Sequence, residues 1–578
     1  MVADSGRVQR ERHLTSGNGA LLVVLHSGGP YWERVIVDET VLAALAHFGM
    51  PYRVLDLAGE RPTPEVLNRC AGIVLAQNGL GACLSDAETG LIADAVRNGV
   101  GLVNFDYDVR AYGAPLLEIF GFERINPHPY ATHTVRVREC DHYITELQSA
   151  GEFHTFDRMV TAIIAEKWGE AVIPLADGIL GKEQLIHIRH LAPWSAFEPR
   201  NFSLVFATAW GEGRAVQFTL NSRVWRNAFF GHARGMDDLF WRSILWTVRK
   251  PFAANMVPPF VTMSWDDCEG RHDFAYADIA VEHGYVPMPS LFVKQVPERL
   301  FPKIRAGLKS GKVQYNTHAL DYYNLLVYNF GKGECSEGEL EENFAFQDAF
   351  WRRVGAYPGA TLRFHWGEYG VRALPFLKAR GHRFFCPALQ TGLHKADMCM
   401  QDGFHPYGLQ TCYYDYLPDD HDFFAFAAML ARHQEDFLTG CTPYLRESER
   451  TDVEKAAGNA ALQVRHGHRA GFYAEIVTHE QKFDAVTMEA WDRILTRADQ
   501  MTGGFEKVHA SHDEIGHYLK GKDGVRIAEA TVEGDSVRCR LAGRTAVPLR
   551  LSVFRDEGES VAREYRAIDG FEGGAEVG

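Results

Sequence analysis

The chain has no apolar run approaching the roughly 18 residues that a membrane-spanning helix requires. It has no CxxC pair and no dense cysteine framework. Ten cysteines are scattered from Cys70 to Cys539, a usage that fits reduced thiols and excludes a disulfide-stapled scaffold. A positive excess is also missing: 60 Lys and Arg stand against 75 Asp and Glu, a formal net charge of −15. That balance argues against nucleic acid or an anionic membrane as the main partner. The polar start, MVADSGRVQRERHLTSGNGA, holds no segment of signal-peptide length, so a cytoplasmic location is expected. There is no repeat of solenoid period, and the only biased segment is the Gly-rich C-terminus. What remains is a folding composition, 46% apolar and 23% charged, on 578 residues. At about 150 residues per domain this is enough for three or four domains. Two excesses stand out, 25 His and a large aromatic set of 36 Phe, 22 Tyr and 11 Trp. Histidines suit metal or proton chemistry and aromatics suit sugar platforms, though both also fill cores.

The first half alternates strand and helix. ALLVVLH predicts a strand, SGGPY a turn, ERVIVDETVLAALAHFG a helix, and PYRVLDL a second strand. AGIVLAQ follows as a strand, then SDAETGLIADAVRNG as a helix with a capping box at Ser85 and a stop at Gly99, then VGLVNFD. This order implies a doubly wound parallel sheet. FSLVFATAWGEGRAVQFTL predicts a hairpin about Gly211-Glu212-Gly213, and the prolines from Pro251 to Pro259 mark a boundary.

Past Pro259 the apolar strands end in reactive side chains: PFVTMSWDD, VQYNTH, ATLRFHWG and GFYAEIVTHEQ. In a parallel (β/α) barrel the carboxyl ends of the strands face one mouth. Asp266, Asp267, His318, Arg363, His365 and His479 are therefore expected to converge. Adjacent carboxylates at a strand end can divide labour, one binding a divalent metal and the other taking a proton from water. They can equally cap a helix. From about Val525 two period-2 runs flank Gly534-Asp535, a hairpin signal for a small β-sheet of about 50 residues, too small to hold a core alone.

Two resemblances organise these observations. The segment over residues 18–250, with LSDAETGLIADAVRNGVGLVNF and GEGRAVQFTL, resembles the class I glutamine amidotransferase-like fold, in the branch with trehalose-utilisation-like and β-galactosidase trimerisation domains. Catalytic members need a cysteine on a tight strand-to-helix turn. Here NGLGACLSD places Cys83 off such an elbow, so the domain is expected to be noncatalytic, structural or substrate-shaping, and a site of homo-oligomerisation. The order TMSWDD, NTH, LRFHWG, IVTHEQ over residues 257–520 resembles the polysaccharide deacetylases of carbohydrate esterase family 4. That resemblance implies Asp266 as general base, Asp267 and His318 as metal ligands, Arg363 orienting the base and His479 as general acid. The family's second motif histidine would fall at Tyr322. Asp321 and His365 are the candidates for the missing ligand, with His365 preferred because imidazole suits zinc, and loss of the metal is the alternative.

The resulting expectation is an α/β protein with a flexible residue 1–17 start, an amidotransferase-like domain over 18–255, a distorted (β/α) barrel over 256–522 and a small β domain over 523–578. Its expected activity is removal of an acyl group from an N-acetylated carbohydrate or glycoconjugate with zinc or another divalent metal, and a cytoplasmic setting favours smaller substrates. A glycoside hydrolase pairing Asp267 with Glu269 or Glu368 is the first rival, and a noncatalytic carbohydrate-binding pseudoenzyme the second. Other groups have plainer readings. His466 and His468 suit a solvated turn, and His509, His512 and His517 a surface helix. His272 and Asp273 are close enough in sequence to reach the mouth, and CYYDYLPDDHDFFAF suits a sugar-stacking loop or a self-packed lid.

Overall fold

The computed structural model describes residues 14–138, 141–179, 201–225, 235–329, 333–365, 370–386, 414–417, 420–426, 436–438, 441 and 451–578. The chain divides into two compact units, Met1–Met256 together with Gly521–Gly578, and Val257–Lys520.

The first unit is built on a nine-stranded sheet. Strands Tyr52–Asp56, Leu21–Leu25, Gly72–Leu75, Gly101–Asn104 and Gly213–Phe218 lie side by side in parallel. The sheet continues antiparallel through Asn201–Trp210, Ile173–Ile179, Tyr130–Val137 and Phe153–Ala162. The short Val/Leu/Ile strands are buried on both faces, as a parallel sheet between helices requires. Helix Asp86–Arg97 starts at the expected capping box, with Ser85 and Glu88 bonding each other's backbone. The hairpin pairs Trp210 with Gly213, and Gly211 holds φ +60 with Arg97 backbone packed where a Cβ would sit. Cys83 follows a 3₁₀ turn at Leu80–Ala82, half-buried, with Sγ 3.6 Å from the Gly79 carbonyl.

The C-terminal strands complete this unit as two three-stranded antiparallel sheets. Val525–Glu533 and Ser536–Thr545 turn at Gly534-Asp535 and pair with Phe571–Val577. Leu549–Glu557 and Ser560–Ile568 recruit Phe252–Ala254 as their third strand. From the N-terminal side, Thr15 donates its hydroxyl to the Ile527 carbonyl at 2.7 Å and its N–H to Tyr52 at 2.8 Å. The stretch expected to be flexible through residue 17 is thus tied to two sheets from its first described residues.

The second unit is a distorted (β/α) barrel whose strands, among the described residues, fall into two larger sheets and one short pair, Tyr328–Asn329 with Gly333–Glu334. Asn316–Ala319, Pro287–Phe292, Phe260–Cys268 and Ala474–His479 are parallel, and Val508–His509 joins the start of Phe260–Cys268. Thr361–Leu362, Phe384–Phe385 and Phe424–Phe426 are parallel, closed by antiparallel Tyr414–Tyr416. The aromatic-acid run at 412–426, where described, therefore includes a barrel hairpin rather than a lid. Trp265, Tyr276, Phe483 and Trp491 anchor the core, with Tyr276 and Phe483 stacked at 4.4 Å. Among the described residues no helix is long and apolar enough to cross a membrane.

Candidate active site

The site grows from one strand pair. Phe260–Cys268 and Ala474–His479 run in parallel with Asp266 directly opposite His479, so two distant segments deliver their last side chains to one end of the barrel. Along the first strand, Ser264 and Asp266 face the same side, as period 2 demands, and both reach a common network. Strict alternation would send Asp267 to the opposite face. Instead its backbone adopts φ +60, the pairing to Pro287–Phe292 shifts between Trp265 and Cys268, and both carboxylates reach the mouth. Asp tolerates the left-handed region better than most residues, which is how this break is sustained.

The break continues into a strained loop. His272, Asp273 and Phe274 also have positive φ, and Gly270 holds φ +92. Consecutive left-handed residues persist only where the surroundings over-determine them. Here the agent is Glu480, fully buried just past His479. Its carboxylate accepts backbone N–H groups from Glu269, from Gly270 at 3.1 Å and from Arg271 at 2.9 Å, together with the Tyr276 hydroxyl. Burial pushes Glu480 up to about 7 against the pull of these donors.

Asp267, His318 and His365 form a tight buried cluster. Asp267 Oδ1 lies 3.3 Å from His318 Nε2 and 2.9 Å from His365 Nδ1, and the two ring nitrogens are 3.1 Å apart. His318 donates Nδ1–H to the Arg363 carbonyl at 2.7 Å, which turns the Nε2 lone pair toward the other two donors. Gln481 donates to the second Asp267 oxygen at 3.2 Å, while Oδ1 is buried without a hydrogen bond of good geometry. Burial raises the Asp267 carboxyl, but the two imidazoles outweigh it and hold it well below the carboxylate range. Burial depresses His365, favouring its neutral form. Three electron-pair donors within 4.8 Å of one another, of one carboxylate and two imidazoles, fit a zinc-type divalent cation. Asp321 does not join them. Its carboxylate caps its own turn, accepting from Tyr323 and Asn324 N–H at 3.0 and 2.9 Å.

Beside this cluster lies a charged relay. Arg363, buried, donates Nε to Asp266 Oδ1 at 2.7 Å and Nη1 to Glu475 at 2.9 Å. Glu475 also accepts Ser264 Oγ at 2.6 Å and lies 3.0 Å from His512 Nε2. Burial raises Glu475, and Arg363 with His512 outweighs it, leaving it at about 2. Cys386, Glu475 and His512 also sit within ligand distance of one another. They do not suit a cation, because the Arg363 guanidinium already occupies the carboxylate and burial pushes the Cys386 thiol far up. On the other flank His479 Nδ1 is 3.2 Å from Asp436 Oδ2, which also accepts the His479 N–H at 2.9 Å. Asp436 is itself fixed by Thr478 Oγ1 at 2.7 Å and Leu438 N–H at 2.8 Å. Burial lowers His479, but Asp436, Asp266 and Asp267 together raise it above the ordinary imidazole value.

The six residues picked out by strand position therefore lie in one neighbourhood, linked by these contacts. Glu475, Asp436 and Glu480 were not picked out. Glu475 and Glu480 had a usable signal, acids in or just beyond the apolar AEIVTH strand, since a buried acid demands a partner. Asp436 had none. His512, expected on a surface helix, is buried against Glu475, and His466, expected in a solvated turn, is buried within helix Val453–Arg469. In both cases the helix turns that face inward. His272 and Asp273 instead lie in ion-pair contacts with Asp484 and Arg299 at 3.3 and 2.6 Å. Glu269 pairs with Arg271 at 3.2 Å, and Glu368 lies outside the described residues.

No protein-family model matches the sequence, and no curated protein matches it. Among solved structures, the crystal structure of Agd3, a novel carbohydrate deacetylase, aligns with 97% of this chain and 98% of its own at 10% identity and TM-score 0.56. That is a likeness of fold over the whole length. The family 4 carbohydrate esterase from Streptomyces lividans in complex with acetate aligns with 45% of this chain and 95% of its own, at 8% identity and TM-score 0.27. A glutamine amido transferase from Methylobacillus Flagellatus aligns with 36% of this chain and 70% of its own, at 12% identity and TM-score 0.23.

Proposed function

We propose that this chain is a metal-dependent hydrolase that removes the acyl group from an N-acylated carbohydrate. The observation that carries the reading is the Asp267–His318–His365 cluster with Asp266–Arg363 on one side and His479–Asp436 on the other. The whole-length likeness of fold to a carbohydrate deacetylase supports the substrate class. A divalent ion held by Asp267, His318 and His365 would supply Lewis-acid polarisation of the acyl carbonyl and make water a stronger acid. Asp266 takes the proton of the attacking water. Arg363, bonded to Asp266 on one side and Glu475 on the other, fixes the direction of the Asp266 lone pairs. His479 directs Nδ1 to Asp436, leaving Nε2 to deliver a proton to the departing amine. The C–N bond breaks, and the products are a carboxylic acid and a free amine.

The test joins metal analysis to acetate release from N-acetylated sugars. The purified protein is expected to hold one divalent ion per chain, lost in Asp267→Ala. Asp266→Asn is expected to keep the ion and lose about 10²- to 10⁴-fold in kcat, as removal of a general base does. A metal-free protein that still binds sugar would favour the noncatalytic reading. Normal acetate release by Asp266→Asn would remove Asp266 from the base role.

A further inference from the structure

We propose that Gln481 is a positioning residue that makes Asp267 a one-oxygen ligand, and so sets the site for zinc over divalent ions that draw both oxygens of a carboxylate. The proposal rests on the metal-dependent reading and names the residue that decides between ions.

The two oxygens of Asp267 meet different partners. Oδ1 lies 3.3 Å from His318 Nε2 and 2.9 Å from His365 Nδ1, whereas Oδ2 takes the Gln481 amide at 3.2 Å. A carboxylate that ligates a cation offers lone pairs and no proton, so Gln481 presents its NH2 group to it. The amide therefore covers one oxygen and leaves the other, already turned to both imidazoles, for the ion. Zinc at catalytic sites takes three protein ligands and one water, a small set in which a carboxylate lends one oxygen. Larger and harder divalent ions take more oxygen ligands and accept a carboxylate through both atoms. A donor on Oδ2 opposes that second mode.

The local chain fixes Gln481 for this role. It lies on the 3₁₀ turn Glu480–Ala485, which begins where strand Ala474–His479 ends. With three residues per turn, successive side chains leave in directions about 120° apart. Glu480 goes to the neighbouring loop, where Gly270 and Arg271 N–H bond it at 3.1 and 2.9 Å. Phe483 is buried with its ring stacked on Tyr276 at 4.4 Å. Between these two anchors Gln481 is exposed, and its amide end reaches the buried Asp267. Asp267 is itself held at φ +60, so its carboxylate is constrained from the backbone and from the far oxygen. His318 is braced in the same manner, through Nδ1 on the Arg363 carbonyl at 2.7 Å. Groups behind metal ligands orient them and tune the ion they hold.

The experiment strips the full-length protein with a chelator and titrates it with Zn²⁺ and with Mn²⁺, by calorimetry and chelator competition. Wild type is compared with Gln481→Leu, which removes the donor, and Gln481→Lys, which retains one. In Gln481→Leu zinc affinity is expected to fall about 10- to 100-fold, the range for loss of a group behind a ligand. Manganese should lose much less, because the freed Oδ2 joins its oxygen set, so the zinc-to-manganese ratio falls. In Gln481→Lys the added charge weakens both ions and the ratio stays near that of wild type. Cobalt(II) in place of zinc gives a spectroscopic check. Its visible bands weaken as coordination number rises, and they should be weaker in Gln481→Leu. The urea midpoint of the metal-free chain should not move, since an exposed side chain is lost. Unchanged zinc affinity in Gln481→Leu, or equal loss of both ions, overturns the role of Gln481 and leaves the metal-dependent hydrolase in place. A lowered urea midpoint with an unchanged ion ratio overturns it in favour of a contact that serves the fold. A wild type that binds neither ion overturns both readings.

Discussion

In the proposed mechanism the pH behaviour of the site rests on His479, which Asp436 holds in place. Asp436 bonds both the ring and the backbone of His479, and with Asp266 and Asp267 it overcomes burial to raise the imidazole. The acid role proposed for His479 needs the protonated ring, so kcat/KM should fall as pH rises through that raised value. Asp436→Asn removes one negative charge, lowers the imidazole toward its ordinary value and moves the alkaline limb to lower pH. A pH–rate profile checks this, and an unmoved limb would detach Asp436 from the proton donor. The same contact stabilises the fold below the unfolded-state histidine value and loses that contribution as pH rises through the folded one. Residue identity at strand ends was legible in sequence, because parallel strands deliver their carboxyl ends to one side whatever lies between them. Asp436 was not legible. Its position is fixed by bonds to Thr478 and Leu438 and by no period in its own segment.

At the scale of elements, the loop after Phe260–Cys268 depends on a residue of another strand's end. Glu480 is met by donors only, three backbone N–H groups and a phenol, so an amide there would turn N–H against N–H. Glu480→Gln is expected to lower stability by about 1–3 kcal/mol, the cost of stranding buried donors, read as a lower urea midpoint at unchanged slope. Its pH dependence also carries a sign. A carboxyl raised from 4.5 to about 7 stabilises fully below the lower value and loses that contribution as pH rises through the upper one. Glu480→Gln should flatten that decline, and a decline of equal size in the variant would assign it to other groups. Elements as such were legible: the capping box at Ser85, the hairpin at Gly211 and the strand ending in Asp266-Asp267 all follow local rules. The left-handed break at Asp267 was not, and the loop that follows it is held by Glu480, 211 residues on from Glu269.

At the scale of the whole molecule, the unit of residues 257–520 is inserted between two parts of the other unit. Phe252–Ala254 pairs with Leu549–Glu557, and Thr15, Ser16 and Gly19 bond the Val525–Glu533 strand. Lys522, buried, donates to the His47 carbonyl at 3.0 Å. A chain ending at Lys520 would expose these edges and their apolar faces, so limited proteolysis should cut first within residues 14–256 of that truncation. Full-length resistance in the truncated chain would show that the C-terminal strands are dispensable. Period-2 patterning announced the strands past Val525, but a strand does not encode its partner. The recruitment of Phe252–Ala254 was therefore invisible until the sheet was laid out.

The backbone at Asp267 also bears on how this site can change by mutation. A position held at φ +60 admits few side chains, chiefly Gly, Asn and Asp. Of these only Asp offers an anionic ligand. Valine or isoleucine fails on backbone grounds before metal chemistry is reached, glycine keeps the turn but brings no donor, and asparagine keeps shape but not charge. Histidine 318 and histidine 365 sit under no such restriction, neither having positive φ. On the proposed metal-binding reading, retuning of the site toward another ion through its ligands, by selection or by design, is channelled to those two positions, with Asp267 as the fixed corner around which the ligand set can vary.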